Sequence, residues 1–251
     1  MPLLVYLVLK YHKMKSYSLH PESIRNLFNT VAPRYDLLNH LLSLRRDVYW
    51  RKMAVHEIKR GEGWILDIAT GTGDIAIEII HQNGQKSRVS GLDFSEPMIK
   101  VAQQKLQKEG LSEKIVLSLG DALNLPFRSN TFTASIIAFG LRNIVNKEQA
   151  LAEMVRVIKG GGKVIILEFT LPQKGVMKRL YLIYFMRILP WIGGLISGNR
   201  GAYSYLPESV LHFQHPENYE EMMRRAGLEN LSFQRLTGGI ASIIEGTKKR
   251  Q

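Results

Sequence analysis

Apolar and polar residues change rhythm most sharply between Trp64 and Ala76, WILDIATGTGDIA. Ile65, Leu66 and Ile68 form a short apolar run, the pattern of a strand buried in a parallel sheet. Asp67 interrupts it, and Thr70-Gly71-Thr72-Gly73 is a loop that neither helix nor strand favours. Asp74 follows as the expected helix N-cap, and Ile75, Ile77, Ile79 and Ile80 carry the next element. Strand, glycine loop and helix make a nucleotide-binding corner. The glycines permit a sharp turn and close approach of a ligand, and the unpaired amides at the helix start favour an anion.

A second run, Val89, Gly91 and Leu92, ends in Asp93, about 20 residues past the loop, where a ribose diol would need an acceptor. Ser95 is placed to cap a helix with Pro97 in its first turn and Met98, Val101, Ala102 and Leu106 on its inner face. Ile115 to Leu119 reads as a third strand, running into Gly120-Asp121-Ala122. A fourth, Ala134 to Ala138, delivers Phe139-Gly140-Leu141-Arg142-Asn143. A helix from Lys147 to Ile158 is expected to stop at Gly160-Gly161-Gly162, before a fifth strand from Lys163 to Phe169. A helix over Tyr219 to Arg225 precedes two strands, Leu231 to Leu236 and Ile240 to Gly246, joined as a hairpin through Gly238-Gly239. This alternation predicts an α/β fold: a doubly wound, seven-stranded, mostly parallel sheet with a C-terminal antiparallel hairpin.

Ahead of the first strand, Pro21 to Phe28 predicts a short amphipathic helix. Leu37, Leu38, Leu41 and Leu42 bunch on a helical face expected to pack, before Trp50 to Val55. Arg34, Tyr35, Asp36 and Asn39 interrupt that segment, either as a solvated turn or for function. Residues 1–19 are expected to be a disordered lead-in or start-site extension, and 20–251 a single domain with a helical insertion over about 174–208. Pro2 to Leu9 is apolar but shorter than the roughly 20 residues of a membrane helix, and it lacks the flanks of a signal peptide.

The charge changes the picture. Lysine and arginine exceed the acids by 12, which points to an anionic partner: nucleic acid, acidic lipid or a charged substrate. No acid occurs between Phe169 and Glu208, where Lys174, Lys178, Arg179, Arg187 and Arg200 punctuate aromatic and aliphatic runs, as a membrane surface or lipid-tail groove would want. There is no cysteine, hence no disulfide, thiolate metal site or cysteine nucleophile, and the seven histidines lack metal-ligand spacing. By itself Gly71-x-Gly73-x-x-Ala76 also fits a dinucleotide fingerprint, so an NAD site stays open at this level.

The glycine loop, Asp93, GDALNLPF at 120–127 and the helix before GGGKVIILEF together resemble the class I S-adenosylmethionine methyltransferases. More specifically, VAPRYDLLN (31–39), DIATGTGD (67–74), FGLRN (139–143), LEF (167–169) and LTGG (236–239) resemble the ubiquinone/menaquinone biosynthesis C-methyltransferase family, over about residues 20 to 248. The chain departs from that pattern at Ala69, at the first glycine of the loop, and at Arg45, where the family usually has glycine. It also departs at Thr133, in place of an acid, and at Gly160, in place of proline.

The resemblance implies methyl transfer from S-adenosylmethionine to a ring carbon of a prenylated quinol. It implies that Asp67 orients the loop and that Gly71, Thr72 and Gly73 meet the methionine portion. Asp93 would hold the ribose, and Asp121 with Ala122 would face the adenine. Arg142 and Asn143 would hold the ring oxygen while Tyr35 completes the proton path. Asp47-x-x-Trp50-Arg51-Lys52 and ATGTGD resemble the menaquinone branch. The expected setting is cytoplasmic, peripheral at the inner face of the cell membrane, with anionic lipid as a contact and a homodimer left open. Two other readings remain: a nucleic-acid methyltransferase drawing on the charge, and a non-catalytic nucleoside-binding subunit of a quinone-synthesis complex. Cysteine-dependent base methylation is excluded, and FGLRN stands where amino-methylating enzymes carry a different motif.

Overall fold

The computed structural model describes residues 21–58, 63–84, 86–172, 175–184, 209–210 and 216–250. The lead-in at 1–19 and most of the insertion at 174–208 lie outside them. The chain begins with three helices, α1 (Pro21–Val31), α2 (Tyr35–Leu42) and α3 (Arg46–His56), with a 3₁₀ turn at Ala32–Arg34 between the first two. There follow β1 (Gly63–Ile68), α4 (Asp74–Asn83), β2 (Ser87–Asp93), α5 (Glu96–Glu109), β3 (Ile115–Leu119) and β4 (Phe132–Ala138). A 3₁₀ turn at Leu141–Asn143 leads to α6 (Lys147–Val157), β5 (Ile158–Phe169), α7 (Gly175–Ile183), α8 (Pro216–Arg225), β6 (Leu228–Leu236) and β7 (Ala241–Lys248).

The seven strands make one sheet in the order β3-β2-β1-β4-β5-β7-β6. The first five run parallel, and β7 is antiparallel to both β5 and β6. This is the doubly wound sheet and terminal hairpin that the alternation predicts. Chain order reverses between β1 and β4, so a crevice opens beyond their carboxyl ends, the position at which such sheets take ligands. Apolar side chains fill both faces: Ile65, Ile136 and Ile165 in one cluster, Leu66, Ile137 and Ile166 in the other.

Three expectations are corrected. Asp74 is not the N-cap of α4. Gly73 occupies the cap in a left-handed conformation (φ 85°), so Asp74 sits one residue inside, where its carboxylate meets Lys105 and Arg51 instead. The glycine run at 160–162 does not stop the preceding helix ahead of a later strand. The helix ends at Val157 and β5 begins at once, with the glycines in a bulge where Ile158 faces Phe132 and Lys163 faces Ala134. Finally, the apolar residues of α2 do not all pack: Leu38 and Leu42 are buried with Met98, while Leu37 and Leu41 face solvent.

The strand ends that shape the crevice are strained. Ala69 after β1 and Phe139 after β4 both hold positive φ (53° and 56°), a region that disfavours side chains. They are accommodated by Gly140, where an added Cβ would stand 2.8 Å from the Ala69 Cβ and 3.1 Å from Ile137 Cγ1. Gly140→Ala is therefore expected to lower unfolding free energy by about 1–3 kcal/mol through overpacking, read from urea denaturation. An unchanged midpoint would show that the two turns can part.

Candidate active site

The crevice is divided into two cavities. The first, ≈ 290 Å³, lies over the ends of β1 to β4 and is lined by Gly71, Asp93, Asp121, Ala122 and Asn143 among others. The second, ≈ 310 Å³, lies under the N-terminal helices, with Leu27, Val31, Trp50, Phe169 and Ile240 in its walls and Arg51 and Arg142 set among them. Phe28, Tyr35 and Phe139 line both cavities and form the partition.

In the first cavity Asp93 ends β2 with its carboxylate tied to the loop opposite. Oδ2 accepts from the Gly71 amide at 2.8 Å and Oδ1 from the Ser95 amide at 2.8 Å, leaving each oxygen further lone-pair capacity. Burial raises the Asp93 pKa above the ordinary carboxylate range, against the pull of those amides. Gly71 has φ 56°, and no protein atom stands within 4 Å of where a Cβ would be. Asp121 is exposed at the rim and accepts from the Leu123 amide at 2.9 Å.

Asp67 lies beneath the loop and lines neither cavity. Its Oδ2 accepts from the Thr70 hydroxyl at 2.5 Å, and the Ala76 amide also favours the carboxylate. Thr72 does not line the first cavity; its hydroxyl donates to Asp36 at 2.5 Å. Gly73 is pressed against α5, where a Cβ would stand 3.3 Å from that of Ala102.

In the second cavity Arg142 is buried. Its Nη1 donates to Glu168 Oε1 at 2.7 Å and to the Phe139 carbonyl, and its Nε donates to Ser209 at 3.3 Å. Glu168 also accepts from the backbone amides of Arg142 and Phe169, at 3.1 and 2.9 Å. Arg142 stacks over the Phe169 ring at 5.4 Å, and Arg51 over Phe139 at 5.5 Å. Nη2 of Arg142 has no partner among the described residues, which leaves two donors for a ligand. Arg142 and Asn143, consecutive in a tight 3₁₀ turn, line different cavities, although both side chains donate to the Phe139 carbonyl. Tyr35 sits between them. Burial raises its pKa above the usual tyrosine value despite the nearby Arg142 and Arg51, so its hydroxyl stays protonated at neutral pH.

A chain of charged side chains ties the N-terminal helices to the glycine loop. Asp47 accepts from Ser43 Oγ at 2.6 Å and pairs with His40 Nδ1 at 2.8 Å and with Arg51. Arg51 reaches Asp74 at 3.6 Å, Asp74 pairs with Lys105, and Lys105 pairs with Asp36 at 2.9 Å. Burial opposes the charge on Asp47 and Asp74, but Arg51 overrides it and holds both carboxyls below their ordinary values. Sequence reading missed this chain and the Glu168 pair. The signals were present in Asp47 and Arg51 four apart on one helix, and in a lone acid within the apolar run VIILEF.

Asp67 yields a pH prediction. Burial, aided by Asp93, raises its pKa from 3.8 to about 7, with Thr70 opposing. Its folded pKa lies above its unfolded one, so its protonated form favours the fold, and stability should fall as pH rises from about 4 through about 7. Asp67→Asn should remove that part of the slope, by on the order of a few kcal/mol, leaving the variant the more stable at pH 8. Parallel slopes for the two proteins in urea titrations would refute this.

Comparison with known proteins agrees with the geometry. The profile of the ubiE/COQ5 methyltransferase family matches residues 14–248. A ubiquinone/menaquinone biosynthesis C-methyltransferase UbiE from Geobacter sp. (strain M21) is 45% identical over 228 residues, covering 90% of this chain and 97% of the relative. A demethylmenaquinone methyltransferase from Thermus thermophilus is 45% identical over 223 residues, covering 88% and 100%. Among solved structures, an S-adenosylmethionine-dependent methyltransferase from Thermotoga maritima superposes with a TM-score of 0.63 at 21% identity, covering 89% of this chain and 99% of that one. The [4+2]-cyclase SpnF matches equally well in fold, with a TM-score of 0.63 at 18% identity, covering 81% and 82%. Likeness at that identity speaks for the sheet alone, but the profile and the close relatives span nearly the whole chain: it belongs to the ubiE/COQ5 methyltransferase family.

Proposed function

We propose that this chain methylates a ring carbon of a prenylated quinol, converting demethylmenaquinol to menaquinol at the cytoplasmic face of the cell membrane. The observation that carries the reading is the pair of cavities sharing a wall. One is walled by a glycine loop and acids, and its neighbour is apolar and set with arginines. The names of the relatives from Geobacter and Thermus support the quinone class. An apolar second cavity suits a quinol ring and its isoprenoid tail better than a nucleotide. No helix among the described residues is long and apolar enough to cross a membrane, so we infer peripheral contact.

The first cavity fits S-adenosylmethionine in two ways: Gly71 has no side chain to obstruct it, and Asp93 offers free lone pairs to a ribose diol. When bound, the cofactor supplies a methyl group on an electrophilic sulfonium. Asp93 would hold the ribose and the rim formed by Asp121 and Ala122 would meet the adenine. Thr72 would act through Asp36, by fixing the loop against α2. Asn143 would face the cofactor side of the partition and Tyr35 both sides.

A neutral quinol carbon is a weak nucleophile, and loss of the hydroxyl proton enriches it. The free Nη2 donors of Arg142 would stabilise the phenolate oxygen that forms. Tyr35, held protonated, would relay a proton as a hydroxyl rather than take one as phenolate. The carboxylate lining this cavity is Asp47, and its partner His40 is 31% exposed, an exit for the proton released.

Labelled methyl transfer tests the reading directly, with a prenylated demethylnaphthoquinol, a prenylated benzoquinol and bulk RNA offered in parallel. The naphthoquinol should be methylated fastest and RNA not at all; RNA as the preferred acceptor would overturn the proposal. Asp93→Asn should weaken S-adenosylmethionine binding by about 1.5–3 kcal/mol, since one charged acceptor is lost, and calorimetry with NAD should give no heat. For Arg142, alanine would strand Glu168, which is 1% exposed, so lysine is the informative change. Arg142→Lys should slow single turnover roughly 10²-fold, because an ammonium cannot reproduce the planar fork, with cofactor affinity nearly unchanged. Native turnover in that variant would remove Arg142 from the chemistry.

A further inference from the structure

Among the described residues, eight large apolar side chains are exposed, and four of them fall between Leu37 and Tyr49. The other four, Val116, Leu119, Val145 and Ile183, are scattered, as single exposed apolar residues commonly are. Leu37 (60% exposed) and Leu41 (46%) lie one turn apart on the outer side of α2, beside the stripe of packed Leu38 and Leu42. Leu44 (79%) follows at the corner before α3, and Tyr49 (45%) on α3 itself.

The corner is strained as well as apolar. Leu44 and Arg45 are consecutive residues with positive φ, 52° and 60°. A glycine would take either conformation without steric cost, whereas here both positions carry long side chains turned to solvent. Arg34, Arg45 and Arg46 are all exposed around the leucines. Neither Arg45 nor Arg46 has an acidic partner among the described residues, and the acids of this segment are engaged elsewhere, Asp36 with Lys105 and Asp47 with Arg51. Leu44 and Arg46 also line the second cavity, so the patch borders its mouth.

We propose that the α2–α3 corner is the surface by which this protein docks on an anionic lipid bilayer, with Leu37, Leu41 and Leu44 entering the interface and Arg45 and Arg46 meeting the headgroups. Outward leucines flanked by Arg45 and Arg46, which have no acidic partner among the described residues, have the form of an interfacial anchor, and such cations favour an acidic surface over another copy of a basic chain. The cavity mouth at the same corner would then face the acyl region, from which a prenylated substrate could enter without crossing water. The proposal rests on the quinol reading only for that last step. It places the contact at this corner, against which Tyr181 and Tyr184 of the basic stretch pack, and not on Lys178 and Arg179.

Co-sedimentation with vesicles of phosphatidylglycerol and phosphatidylcholine, against phosphatidylcholine alone, tests it. Binding should require the acidic lipid and weaken as salt rises. Arg45→Gly should bind about fivefold more weakly, the weight of one arginine near such a surface. The same variant should melt about 2–4 °C higher, because the left-handed strain is relieved. A merely structural arginine cannot give that opposed pair of effects. Leu37→Gln/Leu41→Gln should lose roughly tenfold in vesicle affinity, with the melting temperature and turnover of a short-tailed soluble quinol unchanged. Undiminished vesicle binding by both variants would overturn the proposal. So would loss confined to Lys178→Gln/Arg179→Gln, or a dimer in sedimentation velocity that the leucine changes dissociate. Native protein that docks but methylates no quinol would strike the quinol reading and support the docking surface.

Discussion

The buried pair of Arg142 and Glu168 is the constraint on which the two-cavity arrangement depends. A carboxylate buried at the end of β5 and a guanidinium buried beneath the N-terminal helices would each carry a large desolvation cost if left without the other. Together, with two backbone amides on the acid and the Phe139 carbonyl on the arginine, nearly every polar atom is satisfied. The pair crosses from the turn after β4 to β5, which holds Phe139 in its left-handed conformation and sets its ring into the partition. Arg142 thereby keeps one nitrogen without a partner among the described residues, in a cavity with largely apolar walls, where a hydrogen bond to developing charge is stronger than in water.

A second set of buried charges completes the enclosure. The N-terminal helices carry little backbone pairing to the sheet, so something must fix them over the crevice. Asp36, Asp47 and Arg51 do so by alternating sign with Asp74 and Lys105 across four separate helices. Removing one member would leave its neighbours desolvated and unpaired, which makes the chain directional in a way that apolar packing is not. Thr72 belongs to the same device. Through Asp36 it couples the glycine loop to the helix that supplies Tyr35, so the cofactor side and the substrate side of the partition share a support.

Much of this was legible in the sequence, for identifiable reasons. The sheet was, because strands buried on both faces read as unbroken apolar runs and glycine and acid mark their ends. Asp93 was, because its distance from the loop is set by one turn of β-α-β. What escaped was decided by tertiary geometry. Asp74 looked like a cap because acids begin helices, but the left-handed Gly73 took that place. The glycines at 160–162 looked like a stop, but Gly162 lies where a Cβ would stand 2.7 Å from the Thr133 carbonyl, inside a strand. Leu37 and Leu41 looked like core, since periodicity gives a face and not what covers it.

The central claim is that Glu168 holds Arg142 in the position from which it acts on the substrate oxygen. The most direct test is the single-turnover methyl-transfer rate of Glu168→Gln, measured on folded protein whose S-adenosylmethionine affinity is within about twofold of native. Glutamine keeps the shape but gives up the charge that fixes the guanidinium. The account predicts a rate lowered by roughly 10²-fold, with little further loss when Arg142→Lys is added, because the two residues act as one unit. A native rate in Glu168→Gln, or full multiplication of the two losses in the double variant, would contradict it.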